Sequence, residues 1–213
     1  GGNAFATTSL RVGPTSAIPY VYHVSDNAHP YNNLSPRNDT SNHKVSCAVY
    51  ANVSQMASSG KQVIASFGNQ GYSLIMYREG DAVKVGRVRN YSFVSGTDGD
   101  ASITIPNDNG YHLWTFTCEF KSGSDTSDKT IALYLDDGVG VGKSSSNTAI
   151  AHDAVNLNGG FSIGSVYDGV PTGFSVGVGL AVCAVRGYDV VLQPVEVEAL
   201  SESFPATSGN VTW

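Results

Sequence analysis

The chain has 213 residues, of which 41% are hydrophobic and 14% are charged. Its formal net charge of −6 argues against nucleic acid as a partner, because a polyanion would have to bind against the overall electrostatic field. No apolar run approaches the roughly 20 residues that a membrane-spanning helix needs. The 24 glycines and 8 prolines are typical of many short strands joined by turns, and the length suits one large β domain.

The N-terminal part of the chain starts irregularly and then becomes strand-like. Residues 19–24 predict a strand, and residues 25–43 predict a long loop because they are dense in turn-forming residues. Residues 44–53 predict a strand, since every second side chain is apolar. That apolar row consists of Val45, Cys47, Val49, Ala51 and Val53.

The middle of the chain predicts a meander. Residues 61–69, 71–81 and 82–93 each predict a strand, and glycine-containing turns of hairpin length separate them. A shorter strand is predicted for residues 102–105.

The stretch GYHLWTFTCEF, residues 110–120, predicts a strand with one buried face. Successive side chains of a strand point to opposite faces, and the alternation collects an apolar set on one of them. That set consists of His112, Trp114, Phe116, Cys118 and Phe120. We therefore expect His112 to be a packed side chain.

The C-terminal part predicts further strands and a short helix. Residues 130–142 predict a hairpin that turns at Asp137-Gly138, because this dipeptide suits a tight turn with positive φ. Residues 160–166 and 178–192 predict two more strands.

The helix is predicted for residues 194–204. Pro194 suits a first-turn position, and Glu196 and Glu198 lie near the positive end of the helix dipole. Leu200 is expected to face inward. Residues 205–213 are rich in Ser, Thr and Gly and read as a linker toward a further module.

About eleven predicted strands, separated by turns, favour an all-β fold of two antiparallel sheets packed face to face, a sandwich of the jelly-roll type. Residues 1–204 are expected to form this single domain, with residues 1–43 as its least regular part. Cys47, Cys118 and Cys183 have no CxxC spacing, so we expect small buried thiols within strands. A disulfide between two of them is the alternative.

Six motifs, in order along residues 44–204, resemble the laminin-G-like domains of the concanavalin A-like superfamily. YHLWTFTCEF resembles the family strand W-H-H-V-A-V-T-Y, and ALYLDDGVGVG is similar to the L-Y-V-D-G hairpin. VSCAVYANV, VIASFGNQGYSLIMY and GFSIGSVYDG resemble other strands of the family, and AVCAVRGYDVVLQPVEVEAL resembles its closing segment. The sequence departs from the family at Tyr111, where Trp is usual, and at Cys183 and Ala184, where an acidic pair is usual.

The resemblance implies a β-sandwich with a short helix, secreted or at the cell surface. Many such domains bind carbohydrate, and they are often attached to glycosidases, sialidases, proteases or adhesins. Fold alone does not decide function.

The residues predict no catalytic site. Glycosidases need two carboxylates about 5 to 9 Å apart, which a strand would provide as an acidic residue at every second position. The only Glu-x-Glu pair, Glu196 and Glu198, lies in the predicted helix, and no Gly-x-Ser-x-Gly is present.

Calcium has one candidate position. Asp98 and Asp100 flank a flexible Gly99 in residues 97–102, and hard cations bind clusters of oxygen ligands. A plain polar turn is the alternative, and no cofactor is required by any motif.

A cluster of basic and aromatic residues is the strongest binding signal. Four of the 12 basic residues, Arg78, Lys84, Arg87 and Arg89, fall within residues 78–89, and Arg87 and Arg89 share one strand face. Tyr72, Tyr77 and Tyr91 interleave with them. Guanidinium groups suit carboxylates or sulfates, and a tyrosine ring suits a sugar face. These residues, without Lys84, form the predicted ligand site; cross-strand pairing with acidic neighbours is the alternative.

Together these patterns favour a non-catalytic glycan-binding module, a monomer, within a larger secreted or surface protein. Acidic glycans fit the arginines. A glycoside hydrolase or polysaccharide lyase on the same fold is one alternative, and a structural or protein-binding spacer is another.

Overall fold

The structure is a computed structural model that describes residues 4–11, 43–68, 72–89, 92–93, 101–120, 130–139, 143–147, 161–166, 169–188 and 190–204. The strands in these ranges are β1 (Ala4–Arg11), β2 (His43–Asn52), β3 (Lys61–Gly68), β4 (Tyr72–Glu79), β5 (Ala82–Arg89), β6 (Ser92–Phe93), β7 (Ala101–Thr104), β8 (His112–Phe120), β9 (Thr130–Leu135), β10 (Lys143–Asn147), β11 (Phe161–Ile163), β12 (Phe174–Ser175) and β13 (Ala181–Tyr188). They are followed by the helix α1 (Pro194–Glu202). In this part of the chain, no helix is long and apolar enough to cross a membrane.

The strands form two sheets. Sheet A has the order β1-β13-β2-β8-β9-β10, and sheet B has the order β11-β3-β4-β5-β6 with β12 paired to β3 and β7 paired to β5. Neighbouring strands are antiparallel, except that β12 runs parallel to β3. The predicted all-β sandwich with one short helix is therefore confirmed.

The main core lies between the two sheets. The predicted apolar row of β2 and the Trp114, Phe116 and Cys118 face of β8 both point into it. The rings of Phe67 and Phe116 meet edge to face across the interior, with centroids 5.7 Å apart, a favoured aromatic geometry. The alternation along β2 and β8 therefore predicted these two inner faces correctly.

The second face of β8 differs from expectation, because it is buried too. Leu113, Thr115 and Thr117 are at most 2% exposed. The cause is α1, which brings Val197 and Leu200 onto the outer side of sheet A, where they join a second apolar cluster with Leu113. Sheet A is consequently covered on both sides.

The helix begins as predicted. Pro194 is its first residue, where a missing N–H has no cost. The Gln193 N–H donates to Glu196 Oε2 at 2.7 Å, which satisfies one donor at the helix start. Leu200 faces inward as expected and is 8% exposed.

The N-terminal strand β1 was not predicted from the sequence. It pairs with β13 at the edge of sheet A, so long-range backbone pairing forms it rather than an apolar alternation. The predicted strand at 19–24 and the linker at 205–213 lie outside the described residues.

The cysteines are free thiols, which excludes the disulfide alternative. Cys47 and Cys118 are fully buried, as expected, whereas Cys183 is partly exposed. Burial raises the pKa of the Cys47 thiol and of the Cys183 thiol, which lowers their reactivity.

Gly179 lies where the chain enters β13 and crosses close to another segment. Its φ is +84°, and a Cβ at this position would lie 2.3 Å from the carbonyl oxygen of Gln55. Both the conformation and the approach therefore require glycine.

We expect Gly179→Ala to destabilise the fold more than Gly80→Ala. Gly80 also has positive φ, +64°, but a Cβ there would have no neighbour within 4 Å, so its replacement should cost only the left-handed strain of about 1–2 kcal/mol. Gly179→Ala adds a backbone clash to that strain. Chemical denaturation measures both variants, and equal losses in unfolding free energy would show that the close approach is unimportant.

Candidate functional site

The predicted ligand residues belong to one hairpin, formed by β4 and β5. The hairpin turns through Gly80 and Asp81 between Glu79 and Ala82, which are paired residues. Gly80 adopts φ +64°, which a tight hairpin turn requires. The hairpin lies in sheet B, with β3 on one side and β6 and β7 on the other.

Three of the predicted residues occupy neighbouring backbone positions at the end of the hairpin opposite its turn. Tyr72 is paired with Arg89, and Arg87 is paired with Leu74 two residues farther along. Arg89 is paired on its other side with Ser92 of β6. The backbone register therefore brings Tyr72, Arg87 and Arg89 together at the end of the hairpin, on the face of sheet B from which Leu74 enters the main core.

Tyr77 does not belong to an exposed site. Its side chain is 1% exposed and contacts Phe174 edge to face, with ring centroids 5.2 Å apart. Both residues belong to a small apolar cluster on the outer side of sheet B. Its ring is thus buried and inaccessible to a sugar.

Arg78 has a structural role. Its Nη1 donates to the carbonyl oxygens of Val53, Ser54 and Met56 at 2.7, 2.8 and 2.8 Å. Its Nε donates to the Gly80 carbonyl at 2.9 Å. Partial burial lowers the pKa of Arg78, yet guanidinium remains charged in proteins. The side chain therefore joins the hairpin turn to the loop after β2 instead of offering itself to a ligand.

Lys84 pairs with an acidic neighbour, as the alternative interpretation of the basic cluster predicted. Its Nζ lies 2.8 Å from Glu79 Oε2, and Glu79 Oε1 forms a second ion pair with Lys61 Nζ at 3.0 Å. The hydrogen bond from Lys84 is the largest cause that lowers the pKa of Glu79. Both lysines near the hairpin turn are thus engaged by the one carboxylate of Glu79.

The remaining predicted residues lie beyond what the structure describes. Tyr91, Asp98 and Asp100 are outside the described residues, and so are the side chains of Tyr72, Arg87 and Arg89. In the described ranges, no group of three or more His, Cys, Asp or Glu side chains could hold a metal ion. Calcium at Asp98 and Asp100 stays a prediction.

His112 forms a charged cluster that sequence reasoning missed. Its Nδ1 lies 2.8 Å from Asp136 Oδ2, and its Nε2 lies 3.0 Å from Asp108 Oδ1. The ring also packs against the edge of Trp114, so the expectation of a packed histidine was correct but incomplete. The sequence feature that could have revealed the cluster is the position of two aspartates in turns at the ends of strands, Asp108 before β8 and Asp136 after β9.

The two carboxylates hold the histidine in its charged form. The hydrogen bond that His112 donates to Asp136 is the largest cause that raises the pKa of His112 to about 9; burial opposes it, and the hydrogen bond to Asp108 adds to it. The bond from His112 in turn lowers the pKa of Asp108. With both ring nitrogens bonded and protonated, the imidazole has no lone pair to act as a base. A carboxyl group that acts as a general acid needs a raised pKa, whereas the pKa of Asp108 is lowered.

Polar side chains hold the turn that carries Asp108. Asn109 adopts φ 56°, a conformation that asparagine tolerates better than most residues. Its carbonyl oxygen accepts from Asn52 Nδ2 at 2.8 Å, and its Oδ1 accepts from Ser54 Oγ and Gln55 Nε2 at 2.5 Å each. This turn is therefore attached to the same loop that Arg78 holds.

No protein-family model matches the sequence. No curated protein matches it either.

Solved structures are similar to the fold over most of the chain. The CBM40 module of a Ruminococcus gnavus sialidase, solved bound to α2,3-sialyllactose, has a TM-score of 0.55 and 10% identity, covering 92% of this chain and 97% of that one. A leech intramolecular trans-sialidase, solved with 2,7-anhydro-Neu5Ac, has a TM-score of 0.52 and 9% identity, covering 100% of this chain and 30% of that one. The receptor-binding domain of botulinum neurotoxin D has a TM-score of 0.56 and 10% identity, covering 95% and 46%.

At these identities the likeness establishes the fold. The chain corresponds to nearly all of the Ruminococcus gnavus module and to less than half of the leech and botulinum chains. The chain is a β-sandwich of the kind that these proteins contain.

Replacing Arg78 should destabilise the protein. We expect Arg78→Ala to cost about 2–4 kcal/mol of unfolding free energy, because partly buried carbonyl oxygens lose a charged donor. Arg78→Lys should lose less unfolding free energy than Arg78→Ala but should remain less stable than the unsubstituted chain, since an ammonium group lacks the planar fork of donors. Lys84→Ala is the control, with an expected loss below about 1 kcal/mol for a partly exposed pair. Denaturation curves that place Arg78→Ala no lower than Lys84→Ala would contradict the structural role.

Proposed function

We propose that the chain is a non-catalytic module that binds acidic glycans, with sialylated glycans as the first candidates. The observation that carries the proposal is the similarity to a sialidase module solved with α2,3-sialyllactose, over 92% of this chain and 97% of that module. The second support is the register of the β4–β5 hairpin, which pairs Tyr72 with Arg89 and places Arg87 two residues away.

The chemistry of these residues fits an acidic sugar. A guanidinium group can donate two parallel hydrogen bonds to a carboxylate, which makes it a strong and directional receptor. A tyrosine beside it offers an apolar ring face and a hydroxyl group. Arg89 and Tyr72 on paired strand positions therefore supply both kinds of contact from a rigid sheet, which limits the ordering cost of binding.

Charge narrows the site to Arg87 and Arg89. In a chain of net charge −6, an anionic ligand needs a local positive patch. Arg78 is engaged by four carbonyl oxygens, and Lys84 is paired with Glu79. The two arginines at the far end of the hairpin are the remaining basic members of the predicted cluster.

The described residues support binding without turnover. The histidine and the two carboxylates of the His112 cluster are bonded to one another, so none of them is a free base. The lowered pKa of Asp108 also makes it unlike the protonated carboxylic acid that glycoside hydrolysis uses. We place the module in a larger secreted or surface protein, as a monomer whose neighbours in the chain supply any catalysis.

Binding of sialyllactose, measured by calorimetry at fixed salt, tests the proposal. We expect the unsubstituted chain to bind α2,3-sialyllactose more tightly than lactose. Arg87→Ala with Arg89→Ala should weaken binding about tenfold or more, because a charge-assisted hydrogen bond contributes about 1.5–3 kcal/mol and 1.4 kcal/mol is tenfold.

A matched control separates the site from overall charge. Lys61→Ala with Lys84→Ala removes the same two positive charges from the same sheet, where both lysines pair with Glu79, and it should leave the affinity within about twofold. Equal weakening by both double variants would show that overall charge, not a site, attracts the glycan. Release of new reducing ends from a polysaccharide panel would establish an enzyme, and absence of binding to any acidic glycan would favour a spacer.

A further inference from the structure

The His112 cluster joins the turn before β8 to the turn after β9. His112 opens β8, Asp108 belongs to the turn before it, and Asp136 follows β9. The side chain of His112 is 13% exposed, whereas those of Asp108 and Asp136 are 56% and 48% exposed. A largely enclosed cation thus draws two solvent-facing carboxylates onto the end of sheet A.

The two attachments differ in strength. Asp136 is fixed by a reciprocal backbone contact: its Oδ1 accepts from the Leu113 N–H at 2.9 Å, and its own N–H donates to the Leu113 carbonyl at 2.8 Å. Its φ of 52° belongs to the turn after β9, which the Gly138 N–H closes by donating to the Leu135 carbonyl at 2.9 Å. Asp108 is the more exposed partner, and its Oδ1 also accepts from the Gly110 N–H at 2.9 Å.

Imidazole chemistry makes both bonds depend on one proton. A charged imidazole has two N–H donors, whereas a neutral one has a single donor and a single acceptor nitrogen. Once the ring is neutral, one nitrogen presents a lone pair to a carboxylate oxygen, and the two repel. One of the two attachments is then lost.

We propose that His112 is a proton-held latch: the charged ring holds the Asp108 carboxylate at the end of sheet A, and loss of its proton releases that carboxylate while Asp136 stays bound. The more firmly fixed carboxylate retains the remaining N–H, on Nδ1. Asn109 remains attached through Asn52, Ser54 and Gln55, so the release is confined to the Asp108 side chain. The Gly110 N–H, which donates to Asp108 Oδ1, senses the movement of that carboxylate.

The groups that surround the latch set the pH at which it opens. The turn contributes Asp108, and the end of β9 contributes Asp136. β2 contributes Tyr50, whose pKa is raised mainly by burial and further by nearby groups that include Asp136. Asp137 is exposed and accepts from the Val139 N–H. In the described part of the chain, no lysine or arginine pairs with either carboxylate of the latch.

The sign of the pH dependence follows from the raised pKa of His112, about 9 in the folded chain. Because an unfolded histidine titrates near 6.5, the latch contributes its full stability below that pH and loses it as pH rises through about 9. The latch is therefore closed across neutral and mildly acidic conditions and opens on the alkaline side.

Nuclear magnetic resonance of the full chain between pH 5 and 10.5 tests the latch. We expect both ring nitrogens of His112 to be protonated at pH 7, and a transition near pH 9 in which the Gly110 amide resonance moves with the ring. Above it the ring should be the Nδ1–H tautomer. A ring that titrates near 6.5, or a Gly110 amide that does not follow the ring, would overturn the proposal.

Two substitutions make the test specific. Asp108→Asn should move the His112 transition toward 6.5, because it removes one of the two opposing charges, while Asp137→Asn should leave it unchanged. A thermal melt confirms that each variant is folded. If Asp137→Asn shifts the transition as far as Asp108→Asn does, general surface charge controls the ring and the latch is refuted.

Discussion

Burial of sheet A on both of its sides is the constraint on which the rest of the structure depends. Trp114 and Phe116 fill the space between the sheets, while Leu113 packs under α1 on the other side. The packing is tight enough to leave Trp114 Nε1 and Thr115 Oγ1 without a hydrogen-bond partner in the described part of the chain. Such groups are costly, so the apolar contacts around them must outweigh that cost. The covered strands leave polar chemistry to their ends and to the turns.

The ends of the strands are held by cations. Arg78 gathers the carbonyl oxygens of the loop after β2, and His112 gathers the carboxylates of two turns. Both act where several oxygen atoms converge without strand partners, a situation in which a charged donor is strongest. Only 14% of the residues of this chain are charged, and some of its basic side chains form internal contacts that hold the fold together. A count of basic residues therefore overstates the charge that a ligand can meet.

Much of the fold was predictable because its signals are local. The alternation in β2 and β8 needs only neighbouring residues, and Pro194 marks the start of α1 by its own geometry. The strand β1 was not predictable in this way, since its partner β13 lies at the other end of the chain.

The candidate site was predictable only in part. Strand parity tells which side chains share a face, but it does not tell which face a distant segment covers. Tyr77 is buried because Phe174, which is remote in sequence, packs on it, and Arg78 is engaged because carbonyl groups 22 to 25 residues away surround it.

The two ends of the β4–β5 hairpin consequently differ in what they can offer. At the turn, Lys61 and Lys84 are both paired with Glu79, so these lysines are less available to a ligand. At the other end, the proposed site consists of two arginines. The free energy of a few charge-assisted bonds to an anionic sugar is largely offset by the entropy that the sugar loses when it is immobilised. We therefore expect a single site to bind weakly, toward the millimolar range that corresponds to about −4 kcal/mol. A weak module becomes effective when it is linked to a second binding or catalytic domain, because tethering raises the effective concentration without any new contact. The weakness expected of such a site is therefore consistent with the proposal of a module that acts within a larger protein.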